Sequence, residues 1–292
     1  MTICLFLLPA LVLYVIFVVF PIVQAVHFSF FKWNGLKPLT DFIALGNYQR
    51  ALSDPIFQGA FSHNLAIILL SIVVQIPFAL GLALILNRPF RGRALMRLVF
   101  FAPYVIAEVI TGVVWSLLLQ PQGLADSVLS AVGLGAVYQP WLADASSVLL
   151  AMFFVISWKY FGFHMILLLA GLQGIPHELE EAAAIDGASR RQTIRYVILP
   201  LLGPTLRVSI FLSMIGALQL FDLVWVTTGG GPVNASNTMA TYMFDWGFKR
   251  GQMGYGSAAA VILFIFALIV GLAYQRWVLR RDIDGALTSV GQ

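Results

Sequence analysis

LAIILLSIVVQIPFALGLALIL, residues 65–86, runs for 22 positions without one ionisable side chain. A helix rising about 1.5 Å per residue crosses the hydrocarbon core of a bilayer in about 20 such residues. The stretch therefore reads as a membrane-crossing helix. Five more runs meet the same length, near 3–26, 98–119, 148–172, 205–226 and 257–279. Of the 292 residues, 60% are hydrophobic and 10% charged, against about 25% charged in soluble domains. The expected fold is all-α: a polytopic membrane protein of about six transmembrane helices, forming one domain over 1–292. No internal repeat, low-complexity tract or long linker divides it. Cys4 is the only cysteine, which excludes an internal disulfide and a cysteine-based metal site.

The short loops set an orientation, because Lys and Arg accumulate on the cytoplasmic side. Arg88, Arg91, Arg93 and Arg97 follow span two, and Arg190, Arg191, Arg195 and Arg207 follow span four. With Arg276, Arg280 and Arg281, eleven of the 17 basic residues fall on one side. The opposite loops hold Lys32, Lys37, Arg50, Lys249 and Arg250. Both termini are thus expected in the cytoplasm, and the basic pI reflects topology rather than nucleic-acid binding. A competing reading of the first run as a signal peptide, cleaved after Val23-Gln24-Ala25, lacks a basic start and has too long an apolar stretch.

The loop 173–204 carries the most local information. In Ile175-Pro176-His177-Glu178-Leu179-Glu180-Glu181-Ala182-Ala183-Ala184-Ile185-Asp186-Gly187-Ala188, a proline opens a helix whose acids complement its positive end. Alanines extend it and Gly187 ends it. Ser189 and Gln192 form a capping box for a second helix, in which Ile194, Val197, Ile198 and Leu201 share one face. Such an elbow either docks closely on another protein or simply joins two spans.

Glu181-Ala182-Ala183, Asp186-Gly187-Ala188 and Ile198-x-Leu-Pro200, in that order, resemble the EAA loop of bacterial binding-protein-dependent ABC importers. Leu45-Gly46-Asn47-Tyr48 with Asp54-x-x-Phe57 is similar to the first external loop of carbohydrate-uptake permeases. So are Phe101-x-Pro103, Trp115 and Gln120-Pro121-x-Gly123 to their third span and the loop after it. Thr228-Gly229-Gly230-Gly231-Pro232 and Tyr242 are similar to a later external loop of the maltose and glycerol-phosphate permeases. The resemblance implies a permease subunit in the bacterial cytoplasmic (inner) membrane, transporting sugars or related polyhydroxylated solutes. Its coupling helix would carry Glu181, Ala182, Ala183, Asp186, Gly187 and Ala188. Partners implied are a homologous second permease, two ATPase subunits that bind ATP and Mg, and an extracytoplasmic solute-binding protein, all beside membrane lipid. One departure is the N-terminus, where the family usually has a basic cytoplasmic segment.

No G-x-x-x-x-G-K-[ST] phosphate loop occurs in the sequence, so the chain is not expected to hydrolyse ATP itself. His177-Glu178 lacks a histidine four residues on, where Glu181 stands, and no metal site is expected. Ionisable groups inside a bilayer mark a pathway or a pair. Glu108 lies about 15 Å into span three at about 1.5 Å per residue, level with Lys159 of span four. The two form a candidate ion pair. Alternatively Lys159, Tyr160, Phe163, Gln219 and Asp222 line a solute cavity, where hydroxyls would meet polar groups and sugar C–H faces would meet rings. A competing class is a secondary transporter driven by an ion gradient, with Glu108, Lys159 and Asp222 as its relay.

Overall fold

The computed structural model describes residues 2–133 and 139–279; Arg280 and Arg281 of the basic C-terminal end lie outside the described residues. The helices are α1 (Leu7–Ser29), α2 (Gly46–Ser53), α3 (Pro55–Leu86), α4 (Arg93–Val105), α5 (Glu108–Leu119) and α6 (Leu124–Ala131). After these come α7 (Val148–Gln173), α8 (His177–Ile185), α9 (Arg190–Leu201), α10 (Gly203–Leu218), α11 (Asp222–Thr227), α12 (Met239–Phe244) and α13 (Met253–Val278). Four of them, α1, α3, α7 and α13, are long and apolar enough to cross a membrane alone. The number rises to six if each of the bent pairs α4–α5 and α9–α10 counts as one span.

Two of the expected spans are therefore not straight. The run 98–119 breaks by 97° between α4 and α5. Pro103 cannot donate to the carbonyl four residues before it. Ile106 and Ala107 then take extended ψ values of 135° and 143°. The run 205–226 ends early: α10 stops at Leu218, and Asp222 starts the separate short helix α11. On its other side α10 meets α9 at a bend of 68°, beside Pro204.

Proline also explains three wide turns. Phe20 N–H bonds to Val15 O, Ile76 N–H to Ser71 O and Leu199 N–H to Ile194 O, each closing over five residues instead of four. In each case the next residue is a proline, Pro21, Pro77 or Pro200. Its ring would strike the carbonyl four residues back, and a widened turn moves that carbonyl aside. The extra residue also shifts the helix phase. In α9 the buried face is Thr193, Ile198 and then Leu202 at 1% exposure, whereas Leu201, expected on that face, is 48% exposed.

Helix α7 is the axis of the bundle, with 61% of its most apolar window buried, while the corresponding figure for α1 is 0%. Met152, Val155 and Ile156 of α7 meet Ile67 of α3, Leu218 of α10 and Leu223 of α11 at mid-height. Met165, Leu168 and Leu172 meet Ala79 and Ala83 of α3 and Leu202 at the end near α8. At the other end of the bundle Ala51, Phe57, Tyr242 and Tyr255 form a third cluster. Ahead of α7, Asp144 accepts from Ser146 N–H at 3.0 Å and Ser146 Oγ at 2.7 Å, which holds its carboxyl below the usual range. Its depressed folded value makes that contribution present above the ordinary carboxylate range and lost as pH falls below it.

Helix α4 lies directly on α7. A methyl group added at Gly162 would strike the Phe100 carbonyl, and backbone cannot swing away as a side chain can. Gly162→Ala is expected to destabilise the chain by about 1–3 kcal/mol, read as a lower melting temperature in detergent. Gly216→Ala, where nothing lies within 4 Å of the added carbon, should leave it unchanged. Equal melting of the two variants would mean that this contact is not tight.

Candidate functional site

Two polar side chains of α3 four residues apart, Ser71 and Gln75, share the face turned to the inside of the bundle, 2% and 3% exposed. They border a cavity of ≈ 220 Å³ between α3, α4, α7 and α10. Its aromatic side is Tyr104, Tyr160 and Phe163, with Tyr104 stacked on Phe163 at 4.9 Å between ring centres. On the polar side Gln75 Oε1 has no hydrogen-bond partner among the described residues, and His164 Nδ1 lies 2.9 Å from Ser209 Oγ. Ser213 of α10 completes that side. The arrangement offers rings for an apolar face and several oxygen and nitrogen atoms for hydroxyl groups.

Of the residues expected along a solute path, Tyr160 and Phe163 line this cavity. Lys159, Gln219 and Asp222 are not among its walls: Lys159 is buried and turned elsewhere, and Gln219 and Asp222 are exposed around the turn into α11. Ser71, Gln75, Tyr104, His164 and Ser213 were not singled out from the sequence. The readable signal was a pair of polar residues four apart in an uncharged span, followed two positions later by proline.

Lys159 and Glu108 do not form a direct ion pair. Lys159, 2% exposed, donates from Nζ to Ile106 O at 2.5 Å, the carbonyl left open where α4 ends. Glu108 instead accepts from the Tyr160 hydroxyl and stands in the first turn of α5, where a carboxylate suits the helix dipole. Adjacent residues of α7 thus hold the two sides of the break. Glu108 sits level with the middle of α7 through this bond, not through the rise of a straight helix.

The elbow forms as separate elements. Pro176 precedes α8 as its cap residue rather than as its first helical position, and no residue of α8 is buried. His177 and Glu181 lie 3.3 Å apart on its exposed surface. Gly187 has a φ of +80°, and a Cβ there would meet nothing within 4 Å. Gln192 Oε1 accepts from Ser189 N–H at 2.7 Å, closing the box that starts α9. Ile185, 86% exposed, is the most prominent apolar side chain of the elbow.

A family model described as "Binding-protein-dependent transport system inner membrane component" matches residues 75–282, and the chain belongs to that family. It is 35% identical over 267 residues to the multiple sugar-binding transport system permease protein MsmF of Streptococcus mutans, covering 91% of each chain. It is 33% identical over 273 residues to the trehalose/maltose transport system permease protein MalF of Thermococcus litoralis, covering 93% of this chain and 92% of the relative. A solved structure of a bacterial alginate ABC transporter, in complex with an alginate pentasaccharide-bound periplasmic protein, shares the fold. Its matching chain superposes with a TM-score of 0.83 at 23% identity, over 96% of this chain and 94% of that one.

Tyr160→Phe removes the donor to a carboxylate inside the bundle and is expected to cost about 1–3 kcal/mol. Glu108→Gln in the same background should recover most of that loss in thermal melts. Lys159→Met leaves the Ile106 carbonyl open, so Glu108→Gln should rescue it less well. Full rescue of Lys159→Met would restore the direct pair.

Proposed function

We propose that this chain is the pore-forming permease subunit of an ATP-driven importer for sugars or related polyhydroxylated solutes. The observation that carries the reading is the elbow: a small-residue helix with no buried residue, a left-handed glycine behind it and an apolar knob, Ile185, left bare. Glu181, Ala182, Ala183, Asp186, Gly187 and Ala188 are the contact residues toward a separate ATPase subunit, which binds ATP and Mg. The loops bearing this elbow and the arginines of 88–97 face the cytoplasm, as do both termini.

Sugar as cargo draws on two things: the relatives named for sugar transport and the pairing of rings with polar side chains, among them the unpartnered Gln75 Oε1, in the cavity. At ≈ 220 Å³ the cavity is smaller than the roughly 300–1,000 Å³ of common ligand sites. A homologous second permease would complete the chamber across the face that this chain leaves open. A solute-binding protein would deliver the cargo from outside, as a periplasmic protein is bound to the alginate transporter. Two ATPase subunits would drive the alternation by holding the elbows apart or together, so that ATP biases one of two global states.

Gly187→Val strains a left-handed position by about 1–2 kcal/mol. Gly92, with φ +89° and equally open space, gives a matched control in another exposed turn. Gly187→Val is expected to lower ATPase capture at least about tenfold, the equivalent of about 1.4 kcal/mol, and to stop transport, while Gly92→Val retains both. Uptake in vesicles should require ATP and persist when proton and sodium gradients are collapsed. Uptake that follows the gradients instead would establish the secondary-transporter reading.

A further inference from the structure

At the end of the bundle away from α8, residues 30–45 form a strap across the start of α13. The strap is tied by backbone bonds: Ile43 N–H to Phe30 O, Lys32 N–H to Asp41 O and Gly254 N–H to Trp33 O, each 2.9 Å. Asn47, 5% exposed, donates to both Ser29 O and Phe31 O at 2.8 and 2.9 Å. Asn34 Oδ1 accepts from Leu36 N–H and Lys37 N–H, and Trp33 Nε1 donates to Lys37 O at 2.6 Å, so the backbone at Lys37 is held in place. The strap, α2 and the residues leading into α13 line an open cavity of ≈ 880 Å³.

Three cations line it, Lys32, Lys37 and Arg50, against one acid, Asp41. Among the described residues, none of the three forms an ion pair with a carboxylate, whereas Lys249 and Arg250 nearby both pair with Asp245. The Arg50 guanidinium is immobilised 4.1 Å from the Tyr255 ring centre and 4.8 Å from that of Trp246, with Nη1 donating to Gln252 Oε1 at 2.8 Å. A guanidinium has five donors, so most of its fork remains unused. Unpaired cations on a tied frame are what an anion site requires, and a phosphate oxygen suits both Lys and Arg.

The surroundings identify the source of the phosphate. The strap follows directly on α1, whose apolar surface is open to lipid along its whole window. Trp33 packs on Phe28 of α1 at 4.4 Å between ring centres, and a tryptophan at a helix end is the usual mark of the headgroup layer. We propose that this cavity is a binding site for the phosphate headgroup of an anionic phospholipid, with Lys32, Lys37 and Arg50 as its ligands. The site is independent of the import reading, since either leaflet supplies phospholipid.

The test is native mass spectrometry of the full-length chain in detergent, offered phosphatidylglycerol, phosphatidylcholine or inorganic phosphate. Phosphatidylglycerol should be retained, phosphatidylcholine should not, and inorganic phosphate should compete weakly. Each lysine near an anionic lipid is worth about a fivefold change in affinity. Lys32→Gln with Lys37→Gln should therefore weaken retention about twenty-five-fold, while Lys32→Arg with Lys37→Arg and Lys249→Gln, which removes a cation already paired with Asp245, retain it; unchanged melting temperatures would show that all three variants fold. Equal retention of both lipids, or unaltered retention by the Gln pair, overturns the proposal. So does saturation by phosphate that blocks the lipid.

Discussion

A backbone carbonyl or N–H released from a helix inside a bilayer has no water to bond, and each unmet group costs several kcal/mol. That constraint governs where this chain bends. At three of the interruptions the freed groups are met by side chains from elsewhere in the chain. Lys159 covers Ile106 O at the break between α4 and α5. Asn64 of α3, 0% exposed, donates to Ala217 O near the end of α10 and accepts from Met239 N–H at the start of α12. Thr238 Oγ1 donates to Leu220 O in the same turn, and Arg97 donates to Leu86 O where α3 ends. The polar residues of the interior are therefore first of all the fasteners of an interrupted helical bundle, and the cavity is built between the fastened pieces.

This explains which features could be read from the chain. The apolar runs announce themselves, because about 20 residues without charge have one economical environment. The elbow is equally legible: its cap, its glycine and its second capping box are local devices that need no partner to form. The breaks were not. Pro103 lies in a run whose average hydropathy is undisturbed, and whether a proline kinks a helix or severs it depends on what the neighbours can bond.

Lys159 illustrates the same difficulty at the level of one side chain. Charges in a membrane are expected to seek opposite charges, and Glu108 was the obvious candidate. A carbonyl at a severed helix end is an equally good acceptor, yet it is invisible until the break is known. Ser71 and Gln75 do not stand out in the sequence, because a window average hides two polar residues among about twenty apolar ones. Four apart, they share one face with Ile67 and Ala79, so packing of that face carries both inward.

The contact of Gly162 with the Phe100 carbonyl has a mechanical corollary. Where two main chains touch, there are no intervening side chains to change rotamer, so α4 and α7 cannot slip past one another by degrees. They behave as one stiff plate. A hinge in this frame would fall at the joints beside Ile106 and Leu202, where the chain direction changes by 97° and 68°.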